Sequence, residues 1–387
     1  MKTIRHLLLF SAMAIVLLLV APLPRAAAQS AGQGEFLVYV GTYTAQESKG
    51  IYAYRFRPAN GEVTPLGLVA ETASPSWVTL HPNGRFLYAV NEGREWEKGT
   101  SSVTSFAIDA KSGKLTSLNR VGAHGSPCHA IVEKTGRCLM VANYGGGTVA
   151  AFPVKADGTL GEATAVVQHT GNSISPRQKE PHPHEALLSP DHRFLFVPDL
   201  GLDKVVAYRV DAAGAKLTAN DPPFATVTPG SGPRHMEFHP NGRFAFVNSE
   251  MGSFVTAFAY DSARGSLTSL QTIPTLPDGF SGESTTAELE VHPSGRFLYV
   301  SNRGHDSIAV FSVNPDGKLA FVEHVSTQGK TPRNFAIDPT GAYLFAANQN
   351  TDNIVLFRID QKTGRLTPTG AVLKVDAPVS LAFLPAQ

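Results

Sequence analysis

Four residues in the middle of the chain, His184, Arg234, Glu250 and Arg303, carry side chains that could do chemistry together. A neutral imidazole can accept a proton near physiological pH and return it. A carboxylate can do the same if burial raises its pKa, so His184 and Glu250 are both candidate bases. Arg234 and Arg303 keep their charge and suit holding a carboxylate, a phosphate or a developing oxyanion. Further polar residues could face a substrate beside them: His182, Asp199, His235, Glu288, Asn143 and Asn348.

Other chemistries lack their residues. Gly-x-Ser-x-Gly is absent and no Ser-His-Asp arrangement is evident, which argues against a serine esterase. His182 and His184 would share one face of a strand and could reach a metal with Asp199 or Glu185. Pro183 between them and the lack of a clear third ligand argue against it, so no metal and no cofactor is expected. Gly145-Gly146-Gly147 precedes a strand pattern rather than a helix, which makes it a turn and not a phosphate loop.

The elements that must position these residues come from a repeat. Seven copies of one phrase run down the chain, clearest at Pro82–Asn91, Pro240–Asn248 and Pro293–Asn302. Weaker copies start at Glu133, Ser189 and Asp338, and a truncated one opens at Phe36. Each unit of about fifty residues holds four short strand patterns joined by Asn-Gly, Asp-Gly or Ser-Gly turns, the mark of a β-propeller. The expected fold is all-β, a seven-bladed β-propeller of four-stranded blades. The last segment, Ala377–Leu384, reads as a first strand with nothing after it, whereas Phe36 opens on a second strand. The C-terminal strand should therefore join the N-terminal blade, close the ring and hide both open edges.

In such a blade the start of the first strand and the end of the second share one rim. Aligned copies begin their first strands at Ser76-Trp77, Cys128-His129, His184-Glu185, Arg234-His235, Ala287-Glu288 and Arg333-Asn334. Their second strands end at Asn91-Glu92, Asn143-Tyr144, Asp199-Leu200, Ser249-Glu250, Asn302-Arg303 and Asn348-Gln349. Strand middles are apolar and these ends are polar, so the rim is the expected site. Asn at such an end fits either a turn or a substrate contact. His129 reads as packing, and His81, His239 and His292 as structural residues of His-turn motifs at the opposite rim.

Residues 1–28 read as a signal peptide, with Lys2 and Arg5, an apolar run from Leu7 to Val20 too short for a membrane span, and Ala26-Ala27-Ala28 before Gln29. Residues 29–387 then form one propeller domain in the periplasm or outside the cell. Cleavage leaves 30 basic against 32 acidic residues, a near-neutral body without basic runs, which argues against nucleic acid and anionic membrane as partners. A monomer is expected. Cys128 and Cys138 flank a hairpin at positions too far apart to bridge, so both should be buried thiols.

The whole mature chain resembles the seven-bladed lactonase family, which includes 6-phosphogluconolactonase and carboxy-cis,cis-muconate cyclase. The resemblance rests on Tyr39–Thr44, Ala142-Asn143-Tyr144, His182-Pro183-His184, Gly232-Pro233-Arg234-His235, Asn248, Glu250 and Ser301-Asn302-Arg303. It implies a small-molecule lactone substrate, with His184, Arg234, Arg303 and Glu250 at the positions of the site proposed for the cyclase branch. Lactone hydrolysis needs a deprotonated water, a stabilised oxyanion and a protonated leaving alkoxide. A signal peptide departs from cytoplasmic sugar-phosphate enzymes and leaves a phosphorylated substrate open. Two other readings stand beside hydrolysis: a propeller that binds carbohydrate or protein without catalysis, and a lactone-closing cycloisomerase.

Overall fold

The computed structural model describes residues 34–44, 47–93 and 101–386. The expected signal peptide lies outside the described residues. Seven antiparallel four-stranded sheets form the seven-bladed propeller the repeat implied, and the only helix among the described residues is one 3-10 turn at Gln349–Thr351. Blades one to six begin at Pro75, Ser126, Leu187, Pro233, Thr285 and Pro332. Blade seven combines Phe36–Thr42, Gly50–Arg57 and Glu62–Glu71 with the C-terminal strand Pro378–Pro385 as its innermost member. That strand pairs along the whole of Phe36–Thr42, so the ring closes by ladder hydrogen bonds between the two ends of the chain.

The core lies between blades. The second strands bury nearly every residue and the third strands most of theirs, and seven apolar clusters each bridge two neighbouring blades, which leaves no blade with an open face. Polar groups lock the same interfaces. The hydroxyls of Tyr39, Tyr88 and Tyr299 donate to the carbonyls of Gly113, Gly158 and Gly364 in the next blade. Gly158 has φ +85° and an added Cβ would fall 2.3 Å from the Phe86 ring, so this turn requires glycine. His81, His239 and His292 each reach a turn carbonyl of the following blade, at 3.0, 2.7 and 2.9 Å, in the structural role expected of them.

The innermost strands have one edge in the ladder and one edge on the central channel. Backbone N–H groups on that free edge need acceptors. Side chains of the preceding blade supply them. Met236 donates to Glu185 at 2.5 Å, Val291 to Glu237, Ile337 to Glu290 at 2.7 Å, and Val78 to Ser380 at 3.1 Å. These contacts staple the blades together around a channel cavity of about 430 Å³ lined by the innermost strands.

Cys128 and Cys138 are both buried and free, as their hairpin positions implied.

Candidate active site

The inner strands are not regular at the rim. Pairing slips between Pro75 and Trp77, Pro127 and His129, Pro233 and Met236, Thr286 and Leu289, and Pro332 and Asn334. A bulge breaks strict alternation and re-aims side chains. Arg234 and His235 are consecutive, yet both are buried, and Arg234 Nη1 lies 3.2 Å from His235 Nε2. In blade three the expected inner strand is regular only at Leu187–Leu188. Its partner strand carries Pro198, which has no N–H to donate, although the Pro198 carbonyl still accepts from His184. His184 thus sits on irregular backbone at the rim.

Glu250 is the centre of the cluster. Its Oε2 lies 2.9 Å from Arg303 Nη2 and 3.2 Å from Arg234 Nε, and its Oε1 lies 2.8 Å from Arg177 Nη2. Burial alone would raise the carboxyl, but Arg303, Arg234 and Arg177 outweigh it and hold the pKa at about 2. The condition on which Glu250 was a candidate base, a pKa raised by burial, is not met, and the carboxylate stays ionised among its three guanidinium partners. Arg234 is anchored by the Ala287 carbonyl at 2.5 Å, and Arg303 by the Thr286 carbonyl at 3.0 Å. Burial, then Arg303 and Arg333, lower Arg234 to about 10, which leaves it charged at neutral pH.

His184 has the opposite character. Burial, reinforced by Arg234 and His235, pushes its pKa well below the ordinary imidazole value, so the ring is neutral. Its Nδ1 is buried and has no hydrogen-bond partner. Arg234 Nε and Arg303 Nε are likewise buried without a hydrogen bond, since the 3.2 Å approach of Arg234 Nε to Glu250 is not aligned as one. His184, Arg234, Tyr43, Glu92, His235 and Arg333 line one narrow cleft at the channel mouth. One imidazole nitrogen and two guanidinium nitrogens therefore stand unsatisfied in and beside one cleft, the arrangement expected where a ligand completes the network.

Deeper in the channel, His235 Nδ1 donates to Glu288 Oε1 at 2.8 Å, and Asn334 Nδ2 donates to Glu288 Oε2 at 2.6 Å. Burial raises Glu288 to about 7. At the edge of the mouth the His182 ring stacks on Tyr144 at 4.3 Å, and its Nδ1 donates to the Tyr144 carbonyl at 3.0 Å.

Three of the residues considered for substrate contact are not brought to the mouth. Asp199 is fully buried and binds His169 Nδ1 at 2.6 Å and the backbone N–H groups of His182 and Gly201. Asn143 and Asn348 are fully buried and donate to the carbonyls of Ala123 and Thr327, which fastens the loop entering each blade. Asn91 and Asn302 make the equivalent bond to Ala73 and Thr275. The strand-end asparagines are fasteners because the entry loop of the same blade passes directly over them.

Arg333, Glu92 and Tyr43, which the rim positions and the N-terminal motif included without singling them out, line the cleft, and Arg177, which was not expected there, reaches Glu250 beside it. Arg333 lies over the Tyr43 ring, and the Tyr43 hydroxyl donates to Glu92 Oε2 at 2.8 Å. Arg333 and Glu92 occupy the same repeat positions as Arg234 and Glu250, so the register held the signal for both. Arg177 sits in the irregular segment 169–186, where the repeat has no counterpart. His129 packs on Trp77 at 4.2 Å, as expected of a packing residue. No group of three or more His, Cys, Asp or Glu residues could hold a metal ion among the described residues.

Fold and site together define a propeller of one class. The chain belongs to the lactonase, 7-bladed beta-propeller family, whose model matches residues 37–383. It is 39% identical over 352 residues to a 6-phosphogluconolactonase of Bacillus subtilis, covering 90% of this chain and 99% of that protein. A 6-phosphogluconolactonase of Formosa agariphila is 34% identical over 354 residues, covering 89% of this chain and 98% of the relative. Among solved structures, the periplasmic gluconolactonase of Pseudomonas aeruginosa superposes with a TM-score of 0.87 at 40% identity, over 91% of this chain and 100% of that one.

Proposed function

We propose that the chain is an exported lactonase that opens a sugar lactone by attack of water, with no metal or cofactor. The observation that carries this reading is the neutral His184, whose unpartnered Nδ1 shares a buried cleft with Arg234 and, close by, Arg303, both with unsatisfied Nε–H groups. His184 takes a proton from water as the oxygen attacks the lactone carbonyl carbon. The carbonyl oxygen becomes an oxyanion held by Arg234 and Arg303. Collapse of the tetrahedral intermediate breaks the bond to the ring oxygen, and His184 returns its proton to that alkoxide. The product is the open hydroxy acid. Glu250 stays ionised throughout and keeps the guanidinium groups in place.

Relatives named 6-phosphogluconolactonase and gluconolactonase support a sugar lactone as substrate. Export is supported by the basic and apolar start of the chain and by a periplasmic relative. The remaining residues act as one propeller domain and work as a monomer in this reading. The test is acid release at constant pH from a panel of aldonolactones. Release well above the spontaneous rate is expected; spontaneous rates across the panel would overturn hydrolysis. After cell fractionation the protein should be recovered from the periplasm with Gln29 as its first residue, and recovery from the cytoplasm alone would overturn export.

A further inference from the structure

The cleft holds more positive charge than its own anions neutralise. Arg234 and Arg333 line it and Arg177 and Arg303 reach Glu250 beside it, against the carboxyls of Glu92, Glu250 and Glu288. Arg234 is buried and Arg303 largely so, at 3% and 14% side-chain exposure, and both are also tied to backbone carbonyls. Arg177 differs. Its side chain is 48% exposed, and Nη2 reaches Glu250 Oε1 at 2.8 Å and the Tyr144 hydroxyl at 3.3 Å from the open side of the mouth.

The segment that carries Arg177 is built rather than loose. The next residue, Gln178, is fully buried, and its side-chain amide donates to the Leu200 carbonyl at 2.7 Å. Ser173 donates to Asp203 Oδ2 at 2.5 Å, and its backbone N–H to the Gln178 carbonyl at 2.9 Å. Asp203 in turn accepts from Gly230 and Gly232, just before Arg234. The turn is thus pinned on both sides to blades three and four, and only the long side chain of Arg177 is free to exchange partners. An arriving anion can take this guanidinium without disturbing the two that hold the oxyanion.

We propose that Arg177 is a specificity residue: it exchanges Glu250 for an anionic group outside the lactone ring, a phosphate or a carboxylate, and so favours anionic over neutral lactones. This rests on the hydrolytic reading above. The buried guanidinium groups meet the oxyanion that forms during reaction, and Arg177 meets a charge the substrate already carries. Glu250 loses one of three cationic partners in the exchange and remains bound to Arg234 and Arg303, so the oxyanion donors keep their positions.

The experiment compares wild type, Arg177→Gln and Arg177→Lys on glucono-δ-lactone, 6-phosphoglucono-δ-lactone and glucaro-1,4-lactone, which are neutral, phosphorylated and carboxylated. Loss of one charge-assisted contact should raise KM for an anionic lactone about tenfold to a hundredfold more than KM for the neutral lactone. Arg177→Lys should recover part of the loss. The phosphorylated and carboxylated arms tell which anion is read. Equal effects on all three lactones, or none, overturn the assignment. If wild type opens none of them, the hydrolytic reading fails, and calorimetric binding of 6-phosphogluconate decides Arg177 alone: at least tenfold weaker binding in Arg177→Gln supports it, and equal binding overturns it.

Discussion

Two carboxylates of one blade, Glu250 just past the end of its second strand and Glu237 on its first, meet opposite fates. Glu250, at the mouth, is surrounded by guanidinium groups and held at about 2. Glu237, in the channel, accepts a backbone N–H from Val291 and is pushed up to about 8, first by burial and then, against that hydrogen bond, by Glu288. Glu185 and Glu290 share the channel environment and are raised well above the ordinary carboxylate range. Burial disfavours the charged form at both ends. Cations decide at the mouth, and at the channel the backbone amides that need an acceptor are too weak to offset desolvation. The mouth therefore stores charge for chemistry, and the channel stores protons while holding blades together.

The comparison breaks most clearly at His184. His184→Asn should lower hydrolysis of the best lactone by about 10²–10⁴-fold, the usual worth of a positioned base, with the fold intact by circular dichroism. Undiminished turnover would leave the mouth without a base. Arg234→Ala should cost about 10²–10³-fold, the effect of losing one oxyanion donor. Wild-type turnover in that variant would remove Arg234 from the site.

The scaffold should respond in stability and not in rate. Asn348→Ala strips the fastener from the Thr327 carbonyl and should cost about 1–3 kcal/mol in denaturant unfolding while kcat stays unchanged. A matching fall in kcat would move Asn348 from fastener to substrate contact. The channel carboxyls give the smallest effect. Glu237 binds its proton more tightly folded than unfolded, so its stabilisation is complete below the unfolded carboxyl pKa and is lost as pH rises toward about 8. One such group contributes a slope of at most about 1.4 kcal/mol per pH unit, less here because Glu237 is partly open to the channel. Glu237→Gln keeps an acceptor for Val291 and should flatten melting temperature against pH between about 4.5 and 8. An unchanged slope would place the proton elsewhere.

Much of this was legible before the structure. The repeated Pro-Asn-Gly-Arg-Phe phrase marked the second strand of each blade, and the unpaired strand at Pro378 implied the closure that its pairing with Phe36–Thr42 makes. Counting from the turn of each repeat brought Arg234, Glu250 and Arg303 to one rim, and they are in contact there. Register is local and periodic, so the order of residues along the chain is enough to carry it.

Charge state, aim and coverage were not legible, because each depends on residues distant in sequence. Glu250 is an anion only because Arg177 and Arg303 arrive from other blades and loops. Arg234 and His235 serve one cluster only because a bulge overrides alternation, and a bulge is set by how two strands pair. Asn143 and Asn348 are fasteners because entry loops cross them, and Arg177 reaches the mouth from a segment outside the repeat. The amino-acid sequence determined which rim holds the chemistry, since strand period and turn spacing are properties of the chain itself. The tertiary structure decided which of those groups hold protons, which hold charge and which hold loops, since those depend on the neighbours that folding supplies.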